Sequence, residues 1–297
     1  MKKIQIPYQL KQWSALLRWN KPSGRLILLI PAGWALWLTP SAPPETELLS
    51  LIILGGLAIS AAGCIANDLW DKNIDKEVNR TAERPLAKGS VKNSTAFFLL
   101  LFFLSLSLFV VLSLPMHSRG LCLRLAILAL PPILLYPSAK RWFPYPQAIL
   151  AICWGFSVLI PWGASEANLN GGTPLLGCWL ATLFWTFGFD TVYAIADKDD
   201  DQKLGLKSSV LSLGENIKWI VPITYAIACA SLANAAYFAG IRFIFWPIWI
   251  IATAGMQREA YLINNNKLKK GGHGKHFKNQ VKLGSLLFLG LILGQIR

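Results

Sequence analysis

Charged residues are scarce in this chain of 297 residues, whereas long apolar segments are abundant. Asp, Glu, Lys and Arg together make up 15% of the residues, and hydrophobic types make up 54%. Soluble globular chains carry more charge, about a quarter of their residues, and shorter apolar runs. The composition therefore excludes a soluble globular protein and is typical of a protein with several membrane-spanning helices.

Residue types that commonly bind zinc or form disulfides are few. The five cysteines lie singly in apolar segments, without a C-x-x-C spacing or a histidine partner, so small buried side chains are the simplest interpretation. Two of the three histidines, His273 and His276, lie in a segment rich in Lys and Gly that contains no thiol or carboxylate cluster. Neither a zinc site nor a disulfide framework is predicted.

Apolar segments long enough to form membrane helices recur along the whole chain. A spanning helix needs about 20 residues, with a range of about 17–25. We count about nine segments, of which the last two are short: 23–40, 48–66, 95–114, 121–137, 146–164, 174–192, 219–239, 241–256 and 281–295. The sequence therefore predicts an all-α, polytopic membrane protein with about nine transmembrane helices in a single domain over residues 1–297.

Basic residues outnumber acidic ones, giving a formal net charge of +14, and they are sorted along the chain. Of the 29 Lys and Arg residues, 25 lie in five segments that alternate with nearly uncharged connections: 1–25, 67–94, 138–145, 193–218 and 257–282. Cytoplasmic loops of membrane proteins carry such an excess. We therefore expect the N-terminus and these segments in the cytoplasm, the C-terminus on the opposite side, and no nucleic-acid partner.

The first 22 residues contain no long apolar run of the kind found in cleavable signal peptides. Leu10, Trp13 and Leu17 fall on one face of a helix, with basic residues nearby. Residues 1–22 are therefore predicted to form an interfacial segment that lies on the membrane surface.

Acidic residues number only 15, and two short segments hold many of them. In the first segment, Asp68, Asp71 and Asp75 fall at i, i+3 and i+7, so one helix would carry all three carboxylates on one face. Three like charges repel each other and are costly to place beside hydrocarbon. Divalent cations would relieve both costs.

The second acidic segment repeats this spacing with Asp190, Tyr193 and Asp197, and Asp201 follows four residues later. Mg²⁺ in proteins takes a few carboxylates and completes its coordination with water and substrate phosphate oxygens. Either segment alone has a simple alternative interpretation as solvated loop charge. Two matched segments, each at the end of an apolar helix, indicate two Mg²⁺ ions around one polyanion.

Basic residues accompany both acidic segments on the side predicted to be cytoplasmic. Arg80 and Arg84 follow the first segment, and Lys140 and Arg141 follow the fourth apolar segment. Carboxylates for Mg²⁺ surrounded by Arg and Lys describe a binding site for a diphosphate. Because this site opens into apolar helices, we expect a lipid diphosphate, which reacts either at its allylic C–O bond or by hydrolysis of the diphosphate.

These motifs resemble those of the UbiA superfamily of intramembrane prenyltransferases. The family's N-D-x-x-D-x-x-x-D motif begins here at Asn67, and Y-x-x-x-K begins at Tyr136. The D-x-x-x-D motif is Asp197 with Asp201, and Asp190 precedes it. Residues 79–86 are similar to the R-T-x-x-R-P-L run of 4-hydroxybenzoate polyprenyltransferases.

The resemblance implies a helical bundle around a central cavity, two Mg²⁺ ions, and transfer of a long prenyl chain from polyprenyl diphosphate to 4-hydroxybenzoate. The product would be 3-polyprenyl-4-hydroxybenzoate, on a pathway to ubiquinone or plastoquinone, in the inner or plasma membrane or an internal energy-transducing membrane. It also implies residue roles: Mg²⁺ ligands Asp68, Asp71, Asp75, Asp197 and Asp201, assisted by Asn67 and Asp190; diphosphate-binding Arg80, Arg84 and Lys140; and Tyr136 facing the allylic carbon. Arg141 is the candidate for binding the acceptor's carboxylate, because a guanidinium pairs with a carboxylate through two hydrogen bonds.

Two positions depart from the family pattern. Residues 22–25 read Pro-Ser-Gly-Arg where Pro-x-Gly-Thr is expected, and residues 276–280 read His-Phe-Lys-Asn-Gln, close to F-x-N-N. Homogentisate, a dihydroxynaphthoate, a chlorin or a haem therefore stay open as acceptors. A cation transporter is a remote alternative, because its carboxylates would lie near the midplane instead of at one face.

Overall fold

The computed structural model describes residues 7–21, 23–264 and 272–296, and all the regular secondary structure in those ranges is helical. Two 3₁₀ turns precede α9 and α11 in the chain, at Ile195–Asp197 and Gly214–Asn216. The α-helices in chain order are α1 (Tyr8–Leu16), α2 (Ser23–Leu38), α3 (Thr46–Trp70), α4 (Lys72–Asp75), α5 (Asn93–Ser113), α6 (Met116–Trp142), α7 (Pro146–Glu166), α8 (Gly172–Ala194), α9 (Lys198–Lys203), α10 (Ser209–Leu213), α11 (Ile217–Phe238), α12 (Phe245–Asn264) and α13 (Gly272–Gln295).

The described part of the chain contains six helical segments that are long and apolar enough to cross a membrane. They are Thr46–Trp70, Asn93–Ser113, Met116–Trp142, Pro146–Glu166, Gly172–Lys203 and Ser209–Phe238. The apolar helix α2 is shorter, with 16 residues, and α12 and α13 are not among the six. The all-α membrane architecture is therefore confirmed, whereas the count of nine spans is not.

Helix α8 lies at the centre of the bundle, where it packs against α2, α7, α11 and α13. Large apolar side chains fill the core around it, among them Trp34, Trp185, Phe189 and Tyr225. Gly188 allows α11 to approach closely, since a Cβ atom there would lie 2.6 Å from the Tyr225 ring. By contrast, α5 packs mainly on α3 and buries only Ala96 and Val110, so its other apolar side chains stay at least partly exposed, as expected for a helix facing lipid.

The last long helix begins earlier than the sequence predicts. Helix α13 starts at Gly272, nine residues before the expected span over 281–295. Its first turns carry polar residues, which is why the hydropathy pattern excluded them. Two of these residues, His276 and Gln280, are buried against neighbouring helices.

Candidate active site

The first acidic segment forms a bend and not the single helix that its spacing predicts. Helix α3 ends at Trp70, Asp71 adopts a non-helical conformation, and the short helix α4 ends at Asp75. The backbone amide of Asp71 still donates to the Asn67 carbonyl at 2.9 Å, so the bend is tight. Asp68, Asp71 and Asp75 are all buried. All three carboxylates are therefore buried around this bend, although the helix between them is broken.

Two arginines pair with Asp68 and Asp75 of the first acidic segment. The Arg84 Nη1 atom lies 3.1 Å from Asp68 Oδ1 and 2.8 Å from Asp75 Oδ2, so one guanidinium joins both ends of the segment. Arg18 Nη2 also donates to Asp68 Oδ1, at 2.6 Å. Asp68 is fully buried, and charges in such positions need partners of this kind.

Arg18 is a site residue that the sequence interpretation missed. It lies two residues after the end of α1 and has a positive φ of 57°, in the left-handed region. Leu16 and Leu17 beside it are buried in a cluster with Ala61 and Ile65 of α3, which holds the end of α1 near the acidic segment. The available signal was a basic residue at the end of the amphipathic N-terminal stretch, which was read as a membrane-surface segment alone.

The second acidic segment is held by a basic residue that follows the first. Arg80 donates to both carboxylate oxygens of Asp197, from Nε at 2.7 Å and from Nη2 at 2.5 Å. This bidentate geometry is a strong arrangement for an arginine and a carboxylate. The Arg80 guanidinium also lies 4.9 Å from the ring centre of Tyr193, and Nη1 donates to its hydroxyl at 3.1 Å. The two segments are therefore adjacent, although 117 residues of sequence separate Arg80 from Asp197.

The last turn of α6 also contacts both acidic segments, through one basic side chain for each. Lys140 Nζ lies 3.7 Å from Asp201 Oδ1 of the second segment. The next residue, Arg141, has Nη2 3.3 Å from Asp71 Oδ1 of the first segment. Burial, opposed by the charge of Lys140, raises the pKa of Asp71 to about 6. Two consecutive basic side chains thus reach two different carboxylate groups.

The loop after α9 is fixed against this turn. The Lys207 amide donates to the Lys140 carbonyl at 2.7 Å, and Lys207 Nζ donates to the Trp142 carbonyl at 3.1 Å. The buried Gln147 Oε1 accepts from both the amide and the hydroxyl of Ser209, at 2.9 Å and 2.6 Å. These contacts hold the second acidic segment close to the end of α6.

Three predicted residues lie near the ion pairs without joining them. Asn67, Tyr136 and Asp190 are all partly exposed, and their side chains make no hydrogen bond or ion pair with another described residue. Tyr136 lies one turn before Lys140 on α6, and Asp190 lies one turn before Ala194 at the end of α8. The polar groups of these three side chains therefore remain available for a ligand beside the paired charges.

The donor atoms of the site suit a hard cation. Asp68 Oδ2 and both oxygens of Asp201 are buried and accept no hydrogen bond. Carboxylate oxygens are ligands that Mg²⁺ prefers. Within the described ranges, no three His, Cys, Asp or Glu side chains are grouped closely enough to hold one ion. The residues therefore fit Mg²⁺ ions with few carboxylate ligands each, completed by water and phosphate oxygens, better than an ion enclosed by protein alone.

Comparisons with known proteins identify the family of this chain. A family model described as the UbiA prenyltransferase family matches residues 28–278. The 4-hydroxybenzoate solanesyltransferase of Synechocystis is 39% identical over 279 residues, which cover 94% of each chain. The 4-hydroxybenzoate octaprenyltransferase of Yersinia enterocolitica is 34% identical over 305 residues, which cover 100% of each chain.

Solved structures share the fold at lower identity. The apo structure of a UbiA homologue from Aeropyrum pernix has a TM-score of 0.77 at 24% identity, and the match covers 91% of this chain and 98% of that one. A UbiA homologue from Archaeoglobus fulgidus bound to GPP and Mg²⁺ has a TM-score of 0.68 at 17% identity, with coverage of 95% and 99%. The chain is therefore an integral membrane protein that belongs to the UbiA prenyltransferase family.

Proposed function

We propose that the protein transfers a polyprenyl group from polyprenyl diphosphate to 4-hydroxybenzoate, giving 3-polyprenyl-4-hydroxybenzoate for quinone biosynthesis. The observation that carries the proposal is the pair of consecutive residues on α6, since Lys140 contacts Asp201 while Arg141 contacts Asp71. One site of mixed charge therefore spans both acidic segments and carries two cationic side chains that can each bind an anionic substrate. The relatives named as 4-hydroxybenzoate solanesyltransferase and octaprenyltransferase support this choice of substrates.

We assign the metal to the two acidic segments. Asp68, Asp71 and Asp75 are the proposed ligands on one side, with Asn67 assisting. Asp197 and Asp201 are those on the other, with Asp190 assisting. Two Mg²⁺ ions, when bound, supply positive charge that stabilises the departing diphosphate. The Archaeoglobus fulgidus homologue bound to GPP and Mg²⁺ supports this choice of metal.

The basic residues bind the diphosphate oxygens in this proposal. Arg80 and Arg84 each present five N–H donors, so they can keep a carboxylate contact while donating to a phosphate oxygen. Lys140 adds a third cation from α6. These groups are held by ion pairs before substrate arrives, so little reorganisation is needed as charge develops on the leaving group.

The reaction breaks the allylic C–O bond, and its electron pair leaves with the diphosphate. Tyr136, half-buried one turn before Lys140, is proposed to face the resulting allylic cation. The ring carbon beside the hydroxyl group of 4-hydroxybenzoate forms the new C–C bond, and a ring proton is then lost. Arg141 holds the acceptor's carboxylate, which fixes the ring carbon near the cation. The apolar bundle keeps water from capturing the cation.

The proposed placement in the membrane has nine spans, with the N-terminus and the site on the cytoplasmic side. The nine helices of 16 or more residues among those described support the count. Apart from Asp190, the residues of both acidic segments lie in the Lys- and Arg-rich segments, as do all five basic residues that contact them, which supports a common side.

Product analysis tests the proposed function. Membranes containing the protein receive labelled 4-hydroxybenzoate with prenyl diphosphates of increasing length, and the products are identified by mass spectrometry. We expect 3-polyprenyl-4-hydroxybenzoate, its loss on chelation, and its return with Mg²⁺. Membranes without the protein are the control. Transfer to homogentisate, dihydroxynaphthoate, a chlorin or haem, with none to 4-hydroxybenzoate, would overturn the acceptor assignment but keep the reaction class.

Replacing Arg141 with alanine should separate the two substrates. Loss of a charge-assisted hydrogen bond of about 1.5–3 kcal/mol predicts that KM for 4-hydroxybenzoate rises about 10- to 100-fold. We expect KM for the prenyl diphosphate to change little. Apparent KM values for both substrates, measured in membranes with quantified protein, provide the test.

Arg124→Ala is the matched control for this experiment. Arg124 is exposed on the same helix, and among the described residues its side chain hydrogen-bonds only to the Gly120 carbonyl of its own helix. A raised KM for the prenyl diphosphate beside an unchanged KM for the acid would instead assign Arg141 to the diphosphate.

A further inference from the structure

A buried polar network joins the three helices α11, α12 and α13. The Tyr225 hydroxyl of α11 and His276 Nε2 of α13 share a hydrogen bond of 2.7 Å. His276 Nδ1 lies 3.3 Å from Glu259 Oε2 of α12. Asn279 Nδ2 donates to the other Glu259 oxygen at 2.9 Å. His276 is 1% exposed, so its ring lies within the protein, where Nε2 makes the hydrogen bond and Nδ1 lies beside Glu259 without forming one.

Such a network costs more to build than apolar packing. Each polar group must give up water, and a partner that is missing or misplaced leaves a costly unpaired group. Well-packed apolar residues often stabilise a core at least as well as buried charges do. The value of the network therefore lies in fixing one arrangement of α13 against α11 and α12. The proposed chemistry gives the network no other role.

The residue after His276 connects this network to the acidic site. The Phe277 ring lies 5.5 Å from the Phe189 ring and 5.4 Å from the Tyr193 ring, measured between centroids. Tyr193 in turn carries the Arg80 guanidinium on its face and accepts a hydrogen bond from it. Arg80 grips Asp197 with two hydrogen bonds. A continuous line of contacts thus runs from α13 to the second acidic segment.

The neighbouring helix α8 packs closely against this network. Gly188 leaves the space that the Tyr225 ring occupies, since any Cβ there would lie 2.6 Å from the ring. One turn after His276 on α13, Gln280 Oε1 accepts a hydrogen bond from Trp185 Nε1 at 2.9 Å. The start of α13 is therefore tied to α8 as well as to α11 and α12.

We propose that His276 is a positioning residue, which holds Phe277 against Tyr193 and so keeps Arg80 in place over the second acidic segment. The proposal rests on the proposed function, in which Arg80 binds the diphosphate. Its effect therefore falls on binding of the prenyl diphosphate and not on the aromatic acid.

The test compares three substitutions within the network. His276→Leu removes both contacts of the ring, His276→Gln keeps a donor and an acceptor, and Tyr225→Phe removes one hydroxyl. We measure the dissociation constant of farnesyl diphosphate with Mg²⁺ on purified protein in detergent, together with both KM values in membranes. Trp249→Phe is the matched control, because it removes a hydrogen bond between α12 and α11 to the Cys229 carbonyl.

We expect His276→Leu to weaken farnesyl diphosphate binding about tenfold or more, since small displacements of a positioned group cost up to about 10²-fold. The KM for 4-hydroxybenzoate should stay near the wild-type value. His276→Gln and Tyr225→Phe should each weaken farnesyl diphosphate binding less than His276→Leu does. Phe277→Leu should also weaken binding, and adding His276→Leu to it should weaken binding little further, because the two residues act through one path.

Three results would overturn the proposal. The first is that every network variant binds farnesyl diphosphate as tightly as Trp249→Phe does. The second is that the variants raise KM equally for the prenyl diphosphate and for 4-hydroxybenzoate. The third is that His276→Leu and Phe277→Leu weaken farnesyl diphosphate binding by fully additive free energies. If His276→Leu does not fold, Tyr225→Phe and His276→Gln decide the matter. Wild-type protein that binds farnesyl diphosphate but prenylates no 4-hydroxybenzoate would contradict the proposed function alone, because the binding comparison does not depend on the acceptor.

Discussion

Replacing Asp197 with alanine should lower kcat/KM for prenyl transfer about 10²- to 10³-fold, while the protein still inserts into the membrane. A single ligand or electrostatic contact to developing charge typically stabilises a transition state by about 3–4 kcal/mol. Asp197 is both a proposed Mg²⁺ ligand and the carboxylate that Arg80 grips with two hydrogen bonds. Loss of the Asp197 carboxylate therefore removes a proposed Mg²⁺ ligand and leaves the Arg80 guanidinium without this partner. The measurement is transfer of labelled prenyl chains, normalised to protein level.

Asp199→Ala is the matched control for Asp197→Ala. Asp199 lies two residues away in α9, is exposed, and makes no ion pair with another described residue. We expect near wild-type activity from this variant. A loss below about fivefold in Asp197→Ala, far under the expectation for a contact to the reacting charge, would remove Asp197 from the metal site.

Replacing Arg84 with alanine should destabilise the protein as well as inactivate it. One guanidinium serves two buried carboxylates, Asp68 and Asp75, which are 0% and 7% exposed in their side chains. Removing one partner of a buried pair costs about 3–5 kcal/mol, because a charge is left without compensation. In this variant Asp68 still pairs with Arg18, so we expect the free energy of unfolding to fall by about 3 kcal/mol, the lower end of that range. Unfolding of the purified protein in detergent, followed by tryptophan fluorescence, measures it.

A nearby exposed ion pair supplies the comparison for Arg84→Ala. Lys88 and Glu83 lie 2.6 Å apart, but their side chains are 53% and 79% exposed. Such pairs contribute little to stability, so Lys88→Ala should unfold like the wild type. Arg84→Lys should recover only part of the loss, since an ammonium group cannot reproduce the shape of a guanidinium. Equal stability of Arg84→Ala and Lys88→Ala would show that the first acidic segment does not depend on Arg84.

The sequence predicted the helical class and the two acidic segments because both follow from local patterns. Hydropathy over about 20 residues identifies membrane helices, and charge spacing shows which carboxylates share a face. The bend at Asp71 escaped prediction, since an i, i+3, i+7 spacing is compatible with a straight helix as well as with two short ones. The start of α13 escaped prediction for a related reason. Polar residues at a helix end look like a loop unless their buried partners are known.

The pairing of charges within the site could not be predicted from sequence. Arg18 reaches Asp68 across 50 residues, and Arg80 reaches Asp197 across 117. Nothing local to either basic residue specifies its partner, because packing of α1 and α8 against other helices sets these distances. The same limit explains why His276 looked like a loop residue, although Tyr225 and Glu259 enclose it.

The central claim is that both acidic segments bind metal around one diphosphate, and counting bound Mn²⁺ tests it most directly. Mn²⁺ substitutes for Mg²⁺ in oxygen-rich sites and is visible by electron paramagnetic resonance. With saturating farnesyl diphosphate, the wild-type protein should bind two ions per chain, and Asp71→Ala or Asp197→Ala should each lose one or both. Stoichiometry that is unchanged in both variants, or no binding in the wild type, would contradict the account.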